Sequence, residues 1–417
     1  MSLTDTAIIG AGPYGSSLAA HLKAAGVAHQ VLGKPMQAWR DLMPPGMMLR
    51  SEAFASSLHA PRAGYSLEDY CRQKGLPYEP MGMALPLQTF VEYGQWFQQN
   101  LVGEIQSVDV VGLKQVDGRF QLSLSDGRSL SARKVVVALG LKGFAQMPPA
   151  LQGLPERYVT HSEIYGPLEW ARDKDVVIVG GGQSALGLSA LLNEQGSRVH
   201  VIMRESDVVW HNRPRAGRHL LSRIKGPDAG LGRGWRSLFL SECPHLFHLL
   251  DNGWRKLIME KSYGASGAWW LHDRVVDKVK ISSNSAVRSA AIENDRIVLR
   301  VMNGGDEVTV SADHVIAATG FKTDMRQHTF LSKEIVDTIS VNGGMPELTS
   351  HYETRVPGLY VIGPASAHSF GPVMRFVYGT KHASPTVARH ITGSLKAGAR
   401  ETMWSAADTP MPERTGE

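Results

Sequence analysis

Two stretches of this chain follow one plan, and the plan leaves few folds open. The first is Thr6-Ala7-Ile8-Ile9-Gly10-Ala11-Gly12-Pro13-Tyr14-Gly15, an apolar strand running into three glycines spaced G-x-G-x-x-G. The residues that follow, Ser16 to Gly26, read as a helix with Leu18, Leu22 and Ala25 on one face and a glycine stop. The three glycines act differently, since Gly10 permits a tight turn, Gly12 lets backbone approach a pyrophosphate, and Gly15 lets the helix pack closely on the strand. The helix start, at Pro13 and Tyr14, offers N–H groups and a positive dipole end to phosphates. Near mid-chain, Asp175 to Ala185 repeats the plan: Gly180, Gly182 and Ala185 fit G-x-G-x-x-A, Gln183 and Ser184 open a helix, and Gly196 stops it. One glycine cluster serves simple packing in many turns, but two in matching surroundings do not arise by accident.

The surroundings match downstream as well. Val116-Asp117-Gly118-Arg119 and Ser125-Asp126-Gly127-Arg128 are turns between alternating segments, and they feed the apolar strand Lys134 to Gly140. In the second copy, Asn303-Gly304-Gly305-Asp306 and the alternating Val308-Thr309-Val310 feed His314 to Gly320. The expectation is an α/β fold with two Rossmann-like dinucleotide-binding domains. A Rossmann unit holds a ribose with Asp or Glu at the end of its second strand. The first copy has Gly33-Lys34 after Ala28 to Leu32, which leaves backbone groups or Lys34 as substitutes. The second copy ends its strand, Arg198 to Met203, in Arg204, where a 2′-phosphate would sit. Glu205 follows at once, so charge at this strand end favours NADPH over NADH without excluding the latter.

Between these units the chain is less regular. Pro35 to Arg40 and Met43 to Ser51 are too rich in Pro, Gly and Met for a regular element. Two readings stay open: a loop wrapping a ring system with Trp39, Met48 and Arg50, and a surface loop anchored by a buried Trp. Helical spacing recurs over Ser66 to Lys74 and Gln88 to Phe97, with Ser66 and Thr89 suited to start helices and Tyr93, Trp96 and Phe97 read as core. With 417 residues there is room for two or three domains. No apolar run approaches the roughly 18 residues that span a bilayer, and the opening residues lack a basic-then-apolar leader pattern, so a cytoplasmic protein is expected. Cys71 and Cys243 form no C-x-x-C pair and suggest neither a disulfide framework nor a dithiol centre. The net charge of +5 favours anionic ligands only weakly, and no nucleic-acid partner is expected. No catalytic Ser-His-Asp set or metal cluster stands out.

Gly10 to Gly15, Gly180 to Ala185 and Ala317-Ala318-Thr319-Gly320-Phe321 together resemble the two-dinucleotide-domain flavoprotein monooxygenases of class B. That group includes the flavin-containing monooxygenases, the ornithine and lysine N-hydroxylases and the Baeyer–Villiger enzymes. The resemblance runs from about residue 5 to about residue 393. Tyr158-Val159-Thr160-His161-Ser162-Glu163-Ile164-Tyr165 stands where such enzymes carry the linker motif F-x-G-x-x-x-H, with Pro155 and Arg157 in place of its Phe and Gly. The His161-Ser162 and Gln183-Ser184 pairs look most like the N-hydroxylase branch.

This resemblance implies FAD on the first unit and NADPH on the second, with the NADP domain inserted in the FAD domain. Residues 1–167 and 321–395 then bind FAD, 168–320 bind NADP with an insertion at about 204–275, and 396–417 form a tail. The chain should return to the flavin through Pro357 to Gly363 and through His368-Ser369-Phe370-Gly371-Pro372, ahead of a helix carrying Phe376, Val377 and Tyr378. Pro372 suits the first turn of that helix, whose dipole would stabilise charge on a reduced ring. The implied cofactor-binding set is Gly10, Gly12, Pro13, Tyr14, Gly15, Lys34, Trp39 and Met48 in the first unit. It continues with Gly180, Gly182, Gln183, Ser184, Ala185, Arg204, Thr319 and Gly320 in the second, and Gly363 and Gly371 at the return. Arg50, Ser51 and His368 are the groups implied near the ring by location, and for His368 a purely structural hydrogen-bonded reading stands beside the catalytic one.

The chemistry implied is FAD reduction by NADPH, formation of a C4a-(hydro)peroxyflavin from molecular oxygen, and transfer of one oxygen atom to a small nucleophilic substrate. The substrate is an amine, giving N-hydroxylation, or a sulfide, giving S-oxygenation. The competing readings are Baeyer–Villiger oxygenation of a ketone and an NAD(P)H-dependent flavin reductase or oxidase. Residues 204–275 fit neither copy: Arg213, Arg215, Arg218, Arg223, Lys225, Arg233 and Arg236 make them basic, while Phe239, Phe247, Trp254, Trp269 and Trp270 make them apolar. Three readings stay open: a substrate cap, a patch touching a membrane surface or partner subunit, and a helical elaboration with aromatics inward and arginines solvated.

Overall fold

The computed structural model describes residues 2–163, 166–214, 219, 224–262, 266–339, 341–342 and 344–407. Ile164 and Tyr165 of the linker, Arg215, Arg218 and Arg223 of the basic segment, and residues 408–417 of the tail lie outside the described residues. β1 (Ser2–Ile9) runs into α1 (Pro13–Ala24) and returns as β2 (His29–Leu32). Next come α2 (Leu67–Lys74), α3 (Leu87–Phe97) and a meander of β3 (Val110–Val116), β4 (Arg119–Leu124) and β5 (Ser129–Val137). β6 (Val159–His161) precedes the second copy, β7 (Asp175–Val179), α4 (Gln183–Glu194) and β8 (Arg198–Ile202). Helices α5 (Trp235–Glu242), α6 (Pro244–His248) and α7 (Asn252–Lys261) follow. The second copy closes with β9 (Lys280–Ser282), a meander of β10 (Ser285–Glu293), β11 (Arg296–Asn303) and β12 (Asp306–Ala312), and β13 (His314–Ala317). β14 (Leu359–Val361), the one-turn α8 (Ala367–Phe370) and α9 (Thr380–Ala407) complete the chain.

Two sheets result, and they are built alike. In the first, β1 lies between β2 and β5, parallel to both, with Thr6 opposite His29 and Lys134. The start of β5 pairs with the antiparallel β4, and its end pairs with the parallel β14, Leu359 opposite Val135. The second sheet runs β9-β8-β7-β13-β6, parallel throughout. In each half the strand that completes the core sheet is borrowed, β14 from the end of the chain and β6 from before the second glycine turn. A division after residue 167 leaves β6 with the first unit, yet its backbone pairs with β13 of the second, Val159 opposite Val315.

Alternation along β7 explains why the second sheet is covered on both faces. Val176 and Ile178 pack with Leu186 and Leu192 of α4, while Val177 packs with Ile297, Leu299 and Val301 of the meander. Period-two side-chain direction makes one strand serve two cores. In the first half the same residue classes bury Ile8, Leu18, Leu22 and Val136 completely. Ala25, expected on that helix face, is instead the exposed C-cap, because the helix ends at Ala24.

Local signals behaved according to their chemistry. Ser66 caps α2 through the Asp69 N–H, and the Asp69 carboxylate accepts the Ser66 N–H in return, a reciprocal box that fixes the helix start. Asp117 and Gly118 both take positive φ, 49° and 72°, as a two-residue hairpin turn of right-handed twist requires. Thr89 does not cap α3, which begins two residues earlier at Leu87 behind Pro86. The helix expected from Pro372 is a single tight turn, Pro372–Arg375, broken by the extended Phe376 (φ −116°, ψ 157°). The Tyr14 hydroxyl holds that break in place against the Met374 and Phe376 carbonyls, each 2.9 Å away, and the long helix starts only at Thr380. One such turn carries too few aligned peptides for the dipole effect expected there.

Buried imidazoles give the fold an acid limit. His21 and His200 are each pushed down to about 4 by burial, with His59 beside the first and Lys280 beside the second adding repulsion. His21 Nε2 shares a 2.9 Å hydrogen bond with His59 Nδ1, so charging both rings is unfavourable. An unfolded histidine titrates near 6.5, so between about 6.5 and 4 the unfolded chain binds more protons and stability rises with pH. The contribution is complete above about 6.5 and lost on acidification to about 4. Urea midpoints should therefore fall across that window, and fall less steeply in a His21→Asn/His200→Asn variant. Equal slopes for the two proteins would show that these rings are not responsible.

Candidate functional site

The first glycine turn needs its glycines for reasons visible atom by atom. A Cβ on Gly10 (φ 116°) would lie 2.4 Å from the Ala138 carbonyl oxygen, and one on Gly15 would lie 1.9 Å from the Gly10 oxygen. A Cβ on Gly12 would meet nothing within 4 Å, although its backbone (φ −85°, ψ −168°) suits any residue. Gly10 and Gly15 are thus set by packing, and Gly12 faces open space. Its twin behaves the same way: a Cβ on Gly180 (φ 137°) would come 2.3 Å from the Ala318 oxygen, while Gly182 faces open space. Ala185 stands where the first turn needs Gly15 and is fully buried.

Three cavities share wall residues, and the first is lined by the first glycine turn. The first, about 530 Å³, is walled by Gly10 to Tyr14, Gly33, Lys34 and Trp39, and on its far side by Gln327 to Phe330. The second, about 300 Å³, shares Trp39 and Lys142 with it and lies between the halves. Its walls take Met48, Arg50, Ser51 and Phe376 from the first half and Ser162, Gln183, Ser184 and Trp270 from the second. The third, about 320 Å³, opens past Arg50, Ser51, Trp270 and Phe376 onto Glu52, Arg213, Asp228 and Trp269.

Unsatisfied polar atoms mark where a ligand would finish the hydrogen bonding. Ser162, 4% exposed, lines the second cavity, and its buried Oγ has no hydrogen-bond partner among the described residues. His328 on the first cavity has an unpartnered Nε2, and burial beside Lys142 lowers its ring to about 4, so it is a neutral hydrogen-bonding group. The Trp269 Nε1–H on the third cavity is likewise buried without a partner. Buried polar groups are nearly always paired, and these three belong to residues that line the three cavities. An open Gly12 at the N-terminus of α1 fits a diphosphate, which makes the residues present suited to FAD.

The anticipated residues divide accordingly. Gly10, Gly12, Pro13, Tyr14, Lys34 and Trp39 line the first cavity, and Trp39, Met48, Arg50, Ser51, Gln183 and Ser184 line the second. Arg50 is tied at the neck to Ser266 Oγ at 2.8 Å and to His211 Nε2 at 2.7 Å. Gln183 accepts the Ala268 N–H at 2.9 Å and so anchors the segment bearing Trp269 and Trp270. His368, expected near the ring, lines none of the three cavities and is buried in α8, its charge opposed by burial and Arg255. A Cβ on Gly363 (φ 81°) would lie 3.3 Å from the Tyr14 ring, and one on Gly371 (φ 89°) 3.2 Å from the Phe247 ring, so packing limits both positions. Thr319 binds the Gln146 carbonyl, and the Gly320 carbonyl accepts His161 Nε2–H at 3.0 Å. His161 Nδ1 accepts the Glu163 N–H, so the linker histidine is spent on holding the backbone between the halves. Arg204 is exposed at the end of β8.

Sequence reading missed Glu52, Lys142, Glu163, Arg274 and His328. Glu163 lies in the linker stretch; the others belong to no motif and reach the cavities from a loop or from the far half. The 204–275 segment divides between its readings. Trp269 and Trp270 line the cavities, and Phe247 is buried against Gly371. Trp235 and Trp254 remain 61% and 58% exposed. No helix among the described residues is long and apolar enough to cross a membrane.

Comparison with known proteins agrees with this geometry. A sequence model of the L-lysine 6-monooxygenase/L-ornithine 5-monooxygenase family matches residues 2–215. Ferredoxin–NADP reductase from Beijerinckia indica is 27% identical over 211 residues, 49% of this chain and 54% of that protein. The chain spans about half the length, or less, of the curated relatives it matches. Among solved structures, the reduced ornithine hydroxylase of Pseudomonas aeruginosa superimposes with a TM-score of 0.74 at 17% identity, covering 94% of this chain and 100% of that one. The Kutzneria sp. 744 ornithine N-hydroxylase with reduced FAD, NADP+ and L-ornithine gives 0.74 at 18% identity, with the same coverage of 94% and 100%. At these identities the structural likeness establishes the fold.

Proposed function

The chain belongs to the L-lysine 6-monooxygenase/L-ornithine 5-monooxygenase family, and from that premise we propose that it is an FAD-dependent, NADPH-consuming monooxygenase that N-hydroxylates a small primary amine. The observation that carries this reading is the second cavity, walled from both halves and lined by Gln183 and Ser184 at the start of the helix behind the second glycine turn. FAD, when bound, takes hydride from NADPH and activates molecular oxygen. The chain's own residues do the rest. Gly12 and the start of α1 hold the diphosphate, and Lys34, exposed on the first cavity, takes the place of the missing ribose acid. Ser162, Gln183 and Ser184 offer polar contacts to the nicotinamide side, among Trp39, Met48 and Trp270, which keep water out. Arg50 and Ser51 stand at the neck, where the reacting end of a substrate would enter. Glu52, Asp228 and Arg213 beyond it supply charges of both signs for the substrate's far end, as an amino acid such as ornithine or lysine carries. His368 takes no part in this reading.

The domain division, FAD on 1–167 and 321–395 and NADP on 168–320, is retained as part of the proposal, with β6 structurally joined to the second sheet. S-oxygenation and Baeyer–Villiger chemistry are not favoured by the family. The test is coupling. Purified, FAD-loaded enzyme with ornithine or lysine should form hydroxylamine in step with NADPH consumed. Stoichiometric peroxide with no hydroxylamine from any primary amine would mark an oxidase and end the reading.

A further inference from the structure

The end of β8 holds two charges of opposite sign, and the structure separates them. Backbone hydrogen bonds fix this segment on both sides: Met203 N–H to Ser282 O at 3.0 Å, Ser285 N–H to Met203 O at 2.8 Å, and Asn284 N–H to Glu205 O at 3.0 Å. Residues 203 and 205 therefore share a face. A Cβ on Gly181 would lie 3.1 Å from Met203 Sδ and 3.3 Å from Glu205 Oε2, so the Glu205 carboxylate sits beside the middle glycine of the second turn. The first turn has no such group, since Gly33 occupies that flank, its missing Cβ 3.2 Å from Ala11 N. Arg204, between Met203 and Glu205, is exposed, and the face that reaches Gly181 is not its own. In a Rossmann unit this flank receives the adenosine ribose, where a carboxylate accepts hydrogen bonds from ribose hydroxyls and repels a 2′-phosphate.

We propose that Glu205 sets the coenzyme choice of this enzyme, offsetting Arg204 so that the nucleotide without a 2′-phosphate binds on terms comparable with NADP. The proposal rests on reading the second glycine turn as the nicotinamide nucleotide's site, and it adds NADH as a working reductant. Glu205 is exposed, and no side-chain hydrogen bond ties it into the fold among the described residues, so Glu205→Gln removes the charge and keeps the shape.

Titration calorimetry of FAD-loaded protein with NADP+ and with NAD+ tests this by binding, apart from turnover. In the wild type the two dissociation constants should lie within about tenfold of each other, a modest discrimination. Glu205→Gln should shift their ratio toward NADP+ by about fivefold or more, the effect of one nearby charge in largely aqueous surroundings. Arg204→Ala should shift it the opposite way. An unchanged ratio in Glu205→Gln, with both nucleotides still bound, overturns the role of Glu205 and leaves the site reading intact. Failure of NAD+ alone to bind the wild type overturns the role of Glu205, and failure of both nucleotides overturns the site reading as well.

Discussion

Gly12→Ala should yield a protein that folds as the wild type does and is purified without its flavin, whereas Gly15→Ala should yield little folded protein. The contrast follows from where each added methyl goes. At Gly15 the new carbon would stand 1.9 Å from the Gly10 carbonyl oxygen, backbone against backbone, with no side chain to swing away. α1 must then lift from β1, opening a core in which Leu18 and Leu22 are fully buried. Overpacking of this kind costs about 1–3 kcal/mol where side chains can yield, and more where only backbone can. At Gly12 the methyl meets no protein atom within 4 Å and the backbone angles are ordinary, so the apoprotein loses nothing. What the methyl does occupy is the approach to the first N–H groups of α1. Hydrogen bonds from such groups to a charged phosphate contribute about 1.5–3 kcal/mol each. Loss of one or two predicts a weakening of FAD binding by roughly 100-fold. Flavin absorbance after desalting, FAD titration, and thermal unfolding of both apoproteins check the pair. Flavin retention by Gly12→Ala at wild-type affinity would remove the diphosphate from this turn.

How much of this was legible beforehand depended on whether the information was local. The two turns, the D-G hairpins and the cap at Ser66 are short-range chemistry, and backbone geometry there follows from residue type alone. The borrowed strands were not legible. Nothing in Val159-Thr160-His161 says that it pairs with residues more than 150 positions later, because pairing partners are chosen by the assembled sheet. The broken helix after Pro372 failed for a related reason. Its sequence suits a helix, but Tyr14, from the other end of the chain, hydrogen-bonds the carbonyls that a helix would need. His368 shows the limit for site residues: its loop position invited a catalytic role beside a structural one, and it lies buried in α8, lining none of the three cavities. Glu52, by contrast, directly follows Arg50 and Ser51, yet its use depends on a wall contributed by residues 211–233.

That wall also makes Glu52 and Arg213 the residues whose replacement should most change substrate binding. Glu52 Oε2 accepts the Gly82 N–H at 2.6 Å, and Arg213 Nε donates to the Gly82 oxygen at 3.0 Å, so one residue, through its two flanking peptides, fixes a carboxylate and a guanidinium on the same cavity. Gly82 (φ 78°) is held too tightly for another residue, since a Cβ would come 2.6 Å from the Pro214 oxygen. Arg213 further lies 4.7 Å over the ring of Trp269, which lines the same cavity and whose buried Nε1–H has no partner among the described residues. Burial and the nearby Asp228 raise the Glu52 carboxyl above its usual range, a penalty that a substrate ammonium placed there would relieve. A substrate carboxylate finds Arg213 and the indole N–H as donors. On the proposed reading the reacting amine would lie on the other side of the neck, at Arg50 and Ser51, and would touch neither residue. Their contribution should therefore appear in binding and not in the oxygen-transfer step. For ornithine or lysine, Glu52→Gln, which keeps the Gly82 hydrogen bond, should raise KM about tenfold or more with kcat within about twofold, as loss of one charge-assisted contact implies. Arg213→Ala should do the same, while a diamine lacking the carboxylate should be indifferent to Arg213→Ala and sensitive to Glu52→Gln. Equal response of both substrates to both variants would mean that the third cavity does not read the substrate's charges.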